Sequence, residues 1–283
     1  MRVGFIGLGV MGTPMAVNLS RQFPLTVWNR SKVKYTTLEQ AGVAIGATPG
    51  DVVEQSDIVF IMLFDGRSIQ SIFDDDFEKA LRGKTIVNTS SVSVDCSHQL
   101  YEQVRQAGGD FIEMPVSGSR VPAEQGRLVG MMAGDQTVAE RIRPVLEPIT
   151  CAAIYCGPIG SGLKTKYAVN LYAITMTVGL AESMNLAVEQ GLDQVSFKQV
   201  LESGPMASPY SKIKVNKMLE QDWTAQATIK DCYNSASLIQ SAAESAGLQL
   251  PLIHRCCSLY RQAVESGLGE EDMVSIFKIL KKS

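Results

Sequence analysis

Apolar positions in the first half of the chain fall into short β-branched runs separated by stretches of helical period. Val3 to Ile6, Leu25 to Trp28, Asp57 to Leu63, Thr85 to Asn88, Asp110 to Met114, Val129 to Ala133 and Ala152 to Cys156 read as strands, with a helix over about Met11 to Arg21. Such alternation predicts an α/β domain, a doubly wound parallel sheet with helices on both faces. The pattern changes at Gly157-Pro158-Ile159-Gly160-Ser161-Gly162, a glycine-dense turn followed by continuous helical period from Leu163 to Gly191. At the standard rise that helix is about 45 Å long. Beyond it only helical patterning remains, broken near Gly204-Pro205, Gly247 and Gly267-Leu268-Gly269. The expectation is two domains, residues 1–160 and an all-helical 161–283, joined by a long interdomain helix.

Charge and composition remove several classes of function. Lys and Arg number 26 against 29 Asp and Glu, for a net charge of -3 over 283 residues, so no basic excess is available to neutralise a nucleic-acid backbone. The long helix is apolar on most sides, yet Lys164, Lys166, Asn170 and Glu182 interrupt it. Burial between domains or subunits fits it better than a membrane. The segment Met1 to Gly7 lacks the long apolar region of a secretory signal, which points to the cytoplasm. The six cysteines are scattered, and His98 and His254 are the only histidines. Reduced thiols and no metal site are expected.

The sequence Gly7-Leu8-Gly9-Val10-Met11-Gly12 directly follows the first strand and opens the first helix, the context that makes a glycine pattern a dinucleotide fingerprint of the Rossmann type. Gly7 allows the tight turn, Gly9 lets backbone amides approach a pyrophosphate, and Gly12 permits close packing of helix on strand. The end of the second strand, about 20 residues on, usually carries an acidic residue when NAD binds. Here Asn29, Arg30, Ser31 and Lys32 offer donors and positive charge instead, which favours the 2′-phosphate of NADPH over NADH. Arg30 and Lys32 as plain surface charges is the competing reading.

With the fingerprint in place, later motifs make nearly the whole chain resemble the β-hydroxyacid dehydrogenases, which include 3-hydroxyisobutyrate dehydrogenase and the glyoxylate/succinic semialdehyde reductases. These motifs are Pro115-Val116-Ser117-Gly118-Ser119, Gly160-Ser161-Gly162 with Lys166 and Asn170, and Lys230-Asp231. Ser119 stands where many members carry Gly. That form, with the Trp28 to Ser31 segment, is more similar to the glyoxylate/succinic semialdehyde reductase branch.

The resemblance implies that Ser117, Gly118 and Ser119 lie on a loop that holds a substrate carboxylate, for which converging backbone amides and a hydroxyl are suited. It implies that Lys166 is the general acid, able to protonate the oxygen on which charge develops as hydride arrives. Asn170, one helical turn further on, would orient substrate and lysine. Lys164 is nearer the glycines, but the spacing to Asn170 selects Lys166. Ser91 matches a residue near nicotinamide and substrate, although a serine-rich turn that caps a helix explains Ser90 and Ser91 equally well. Lys230 and Leu63 are implied on the cofactor, Asp231 in ordering the site, and Trp223 against the substrate, with core filler as the alternative for the ring. The implied function is NADPH-dependent reduction of a small carboxylate-bearing aldehyde or keto acid by a homodimer or homotetramer, in a cleft between the domains. An oxidative 3-hydroxyisobutyrate-type activity and a non-catalytic NADPH-binding module are the alternatives. Tyr210 and Lys214 form a Tyr-x-x-x-Lys spacing by chance, and His98 reads as a surface residue.

Overall fold

A computed structural model describes residues 1–31, 35–39 and 42–281. The chain divides into two compact units, Met1–Lys166 and Tyr167–Ser283.

The first unit alternates strand and helix. In chain order it runs β1 (Val3–Ile6), α1 (Gly12–Ser20), β2 (Leu25–Trp28), α2 (Thr36–Glu39), β3 (Ala44–Ile45), α3 (Pro49–Gln55), β4 (Ile58–Ile61), α4 (Gly66–Gln70) and α5 (Asp75–Ala80). It continues through β5 (Thr85–Asn88), α6 (Val94–Gln106), β6 (Asp110–Glu113), β7 (Val116–Ser117), α7 (Arg120–Glu124), β8 (Leu128–Gly134), α8 (Gln136–Leu146) and β9 (Thr150–Gly157). Every residue of β1, β4 and β5 is buried, which is why β1 and β4 read as unbroken apolar runs and not as alternation. Phe5 stacks near Phe60 across that core, at 6.1 Å between ring centroids. Asp65, Asp74, Ser93 and Asp135 each cap the helix that follows by accepting the amide three residues on.

The sheet order is β3-β2-β1-β4-β5-β6-β8-β7, with β9 also paired to β8. Pairing is parallel from β3 through β6, as the alternation predicts. Beyond β6 the sheet becomes mixed, because β8 runs antiparallel to both β6 and β7. The expected loop at Pro115 to Ser119 is therefore strand in part: Val116 pairs with Gly130, and Ser117 with Val129. Two residues are too few to carry a readable period. The two-residue β3 escaped the sequence pattern for the same reason.

The helix α9 (Ser161–Glu189) starts in the first unit and continues into the second. The second unit then contains α10 (Gln194–Ser203), α11 (Pro209–Leu219), α12 (Ile229–Ser245), α13 (Pro251–Ala263) and α14 (Ile276–Leu280). A buried ion pair organises its centre. Lys214 Nζ lies 3.1 Å from Asp272 Oδ1, at side-chain exposures of 3% and 0%. Asp272 also accepts the amides of Gln226 and Val274, so the carboxylate keeps its partners away from water. Tyr210 bonds Thr177 through its hydroxyl, and its ring lies 5.5 Å from Lys214 Nζ. Burial pushes the Tyr210 phenol well above its ordinary range. The Tyr-x-x-x-Lys spacing is thus committed to the helical core.

Candidate active site

The turn from Gly7 to Gly12 is shaped by three glycines whose surroundings differ. Gly7 has φ +102°, and a Cβ on it would fall 2.1 Å from the Met62 carbonyl oxygen. A Cβ on Gly12 would fall 1.9 Å from the Gly7 carbonyl oxygen, so α1 packs directly on the turn. Nothing lies within 4 Å of the corresponding point on Gly9. Bare backbone at that point is not needed by the fold and is open to a ligand. No side chain caps the start of α1 and no acidic residue sits in its first turn. An anion there meets amides and a favourable helix dipole, and the turn therefore fits a dinucleotide pyrophosphate.

Around the turn, the expected cofactor residues separate into scaffold and surface. The Leu8 side chain is fully buried, its amide donates to Asn29 Oδ1 at 3.0 Å, and its carbonyl accepts the Thr13 hydroxyl. Asn29 donates its other end to the Ser31 carbonyl at 2.9 Å. This side chain joins the end of β2 to the glycine turn and has both ends engaged. Tyr35 completes the arrangement: its hydroxyl accepts the Asn29 amide and donates to the Asn29 carbonyl, both at 2.8 Å. Arg30 and Ser31 are exposed beside this clamp, as are Gly9 and Val10, while Met11 is half-buried. Lys32 lies outside the described residues. Tyr35 lies seven residues past the end of β2, where a tyrosine has no local signature in the sequence.

At the ends of β4 and β5, Ser90 and Ser91 take different roles. Ser90 is buried and accepts the Leu63 amide at 2.9 Å, which holds Leu63 against Gly7. Ser91 is half-buried. Ser93, and not this pair, caps the following helix.

Pro115 lies beside the start of α9, and the segment runs from there through β7 to Ser119. Gly118 is exposed with φ +130°, a conformation suited to glycine, and Ser117 and Ser119 are half-buried. Glu113, two residues before Pro115, is fully buried. Its Oε2 accepts the Ser97 hydroxyl at 2.5 Å and the Gly160 amide at 3.0 Å, and its Oε1 accepts the Leu163 amide at 2.8 Å. A Cβ on Gly162 would lie 2.4 Å from the Met131 carbonyl oxygen and 3.0 Å from Glu113 Oε1. The Gly160-Ser161-Gly162 motif is therefore the surface by which α9 seats on the sheet. Three residues past Leu163 comes Lys166, which is 8% exposed, whereas Lys164 is exposed. Burial selects the same lysine that the spacing selects.

In the second unit, Asn170 donates to Ser235 Oγ at 3.4 Å, tying α9 to α12. Asp231 occupies a capping box at the start of α12, accepting the Thr228 hydroxyl at 2.6 Å and the Thr228 amide at 3.2 Å. Lys230 pairs with Glu270. Trp223 stacks on Phe277 at 6.4 Å and carries Lys278 over its ring at 4.6 Å. Its carbonyl accepts the Asp272 amide, so the Lys214–Asp272 pair also fixes the Trp223 backbone. Next to it, Lys217 donates to Asp222 and holds that carboxyl down to about 2. His98 is exposed, and among the described residues no cluster of His, Cys, Asp or Glu could hold a metal.

The glycine surroundings predict a separation of binding from folding. Gly9→Ala keeps its melting temperature within about 2 °C and raises the KM for the dinucleotide on the order of tenfold, about 1.4 kcal/mol. Gly12→Ala, whose new atom meets backbone, loses about 1–3 kcal/mol of stability. Thermal unfolding and steady-state kinetics check both.

Comparison with known proteins agrees with this geometry. Residues 2–157 match the family described as the NAD binding domain of 6-phosphogluconate dehydrogenase. Residues 160–280 match the family described as the NAD-binding domain of NADP-dependent 3-hydroxyisobutyrate dehydrogenase. Glyoxylate/succinic semialdehyde reductase 1 of Arabidopsis thaliana is 30% identical over 287 residues, covering 100% of this chain and 99% of that one. The 2-hydroxy-3-oxopropionate reductase of Escherichia coli is 31% identical over 285 residues, covering 99% and 97%. In fold, a solved 3-hydroxyisobutyrate dehydrogenase from Salmonella typhimurium superposes with TM-score 0.91 at 21% identity, covering 99% of both chains. With a dinucleotide turn, a seated lysine helix and relatives matched end to end, the chain belongs to the β-hydroxyacid dehydrogenases, NAD(P)-dependent oxidoreductases.

Proposed function

We propose that the protein reduces a small carboxylate-bearing aldehyde or keto acid, of the glyoxylate or succinic semialdehyde type, to its hydroxy acid with NADPH. The observation that carries this reading is Lys166, a buried amine on the helix that Glu113 fastens beside the strand leading to Ser117. The named activities of the Arabidopsis and Escherichia relatives support the substrate class.

A bound nicotinamide supplies the hydride. The chain's own residues do the rest. Ser117 and the Gly118 backbone receive the carboxylate through hydroxyl and amide. Lys166 donates its proton to the carbonyl oxygen as negative charge builds there, and accepts it in the reverse direction. Asn170, one turn along, aligns the substrate oxygen. Ser91 and Leu63 would hold the nicotinamide, and Trp223 and Asp231 are the substrate residues proposed on the helical unit. Arg30 and Ser31 take the 2′-phosphate.

The same reading includes a homo-oligomer. Helix α10 buries none of its residues, and Val195 and Val200 on it, with Leu192 and Met206 at its flanks, are 49–76% exposed. A second copy of this chain is the proposed cover for this face.

Three outcomes test the proposal. Lys166→Ala lowers kcat with glyoxylate or succinic semialdehyde on the order of a thousandfold and leaves NADPH binding, followed by fluorescence titration, within about twofold; near-normal turnover removes the lysine from the chemistry. The wild-type kcat/KM with NADPH exceeds that with NADH by at least about tenfold, and Arg30→Glu abolishes the difference; a preference for NADH contradicts the cofactor assignment. In light scattering, the wild type has at least twice the mass of the chain, and V200D with M206D releases monomer; a monomeric wild type ends the oligomer proposal.

A further inference from the structure

We infer that Glu113 is a positioning residue of the reaction, a buried carboxylate that sets Lys166 relative to the Ser117 loop. This inference rests on the reading of Lys166 as the acid.

Glu113 has no solvent exposure, and the partners that surround its carboxylate are uncharged donors. A buried carboxylate without a counter-ion is costly unless donors surround it. Here the donors are the Ser97 hydroxyl and the amides of Gly160 and Leu163. Both amides belong to the start of α9, where the helix dipole also favours a negative charge. An apolar side chain that filled the same space would leave both amides without acceptors, and a glutamine would keep one acceptor oxygen while turning an NH2 donor towards the other amide.

The residue joins the two segments the reaction needs. At the end of β6, Glu113 precedes Val116 and Ser117 of β7 by three and four positions. On α9, Lys166 follows Leu163 by less than one turn, a rise of about 4.5 Å. Gly162 brings the helix close enough for this: its hypothetical Cβ falls 3.0 Å from Glu113 Oε1 and 3.3 Å from Pro115 Cδ. A change in the length or charge of residue 113 therefore moves the amine and the anion loop against each other. The cofactor turn follows β1, a different strand from the one that carries Glu113.

A double-mutant cycle on the full-length protein tests the role, with glyoxylate and NADPH as the assay pair. Glu113→Gln is expected to lower kcat ten- to a hundredfold, the order of cost for misplacing a reacting group by about 1 Å, with KM for NADPH within about twofold. Glu113→Asp, which retains the charge, recovers part of the loss. In the Lys166→Ala background Glu113→Gln has less than about a twofold further effect, because the group it positions is gone. Multiplying losses in that background, or a wild-type kcat per folded molecule in Glu113→Gln, overturns the inference and leaves the lysine untouched. Near-normal turnover in Lys166→Ala alone overturns the proposed function instead. Should Glu113→Gln fail to fold, Ser97→Ala removes one donor at the same carboxylate. It must show the same cycle with a smaller loss, and additive behaviour there counts equally against the role.

Discussion

The site depends on one buried anion meeting one helix start. Glu113 accepts the Gly160 and Leu163 amides, just before and within the first turn of α9, and a hydroxyl of α6. Three segments far apart in sequence thereby share a single carboxylate. That carboxylate holds the start of α9, the helix that carries Lys166. Charge-assisted hydrogen bonds are short and directional, so they restrain helix direction more tightly than apolar contact alone.

The helical unit uses a second buried charge in a comparable way. Asp272 takes Lys214, two backbone amides and the bridge to Thr228, and its own amide reaches the Trp223 carbonyl. The stretch from Trp223 to Asp231, where sequence motifs placed three site residues, hangs on this one group. Asp231 caps α12 and Lys230 pairs with Glu270, so both serve local structure whatever they do toward a ligand. Removing either would perturb the helix start as well as the chemistry, and activity loss alone would not separate the two effects.

Much of the architecture is legible in the sequence because it is local. Buried strands such as Ile58–Ile61 announce themselves as apolar runs, and the turn at Gly157 to Gly162 marks where sheet gives way to helix. That Lys166 is buried and Lys164 exposed is likewise readable, since helical spacing already puts them on different faces. The antiparallel run of β8 is not legible, because strand direction depends on how the chain returns to the sheet and leaves no residue pattern. Long-range partners are hidden for a related reason. Glu113 and Leu163 are 50 positions apart, and Leu8 and Asn29 are 21 apart. Asn29 shows the limit well: a polar residue at the end of β2 is visible as a donor for a ligand, yet its amide is already shared between the glycine turn and Ser31.

The most direct measurement is a crystal structure of the protein with NADP+ and a non-reducible carboxylate analogue of the substrate. The account predicts Lys166 Nζ about 3 Å from the oxygen that stands for the carbonyl, with the carboxylate on Ser117 and the nicotinamide carbon facing the same centre. An amine turned to bulk solvent, or separated from that oxygen by another side chain, contradicts it.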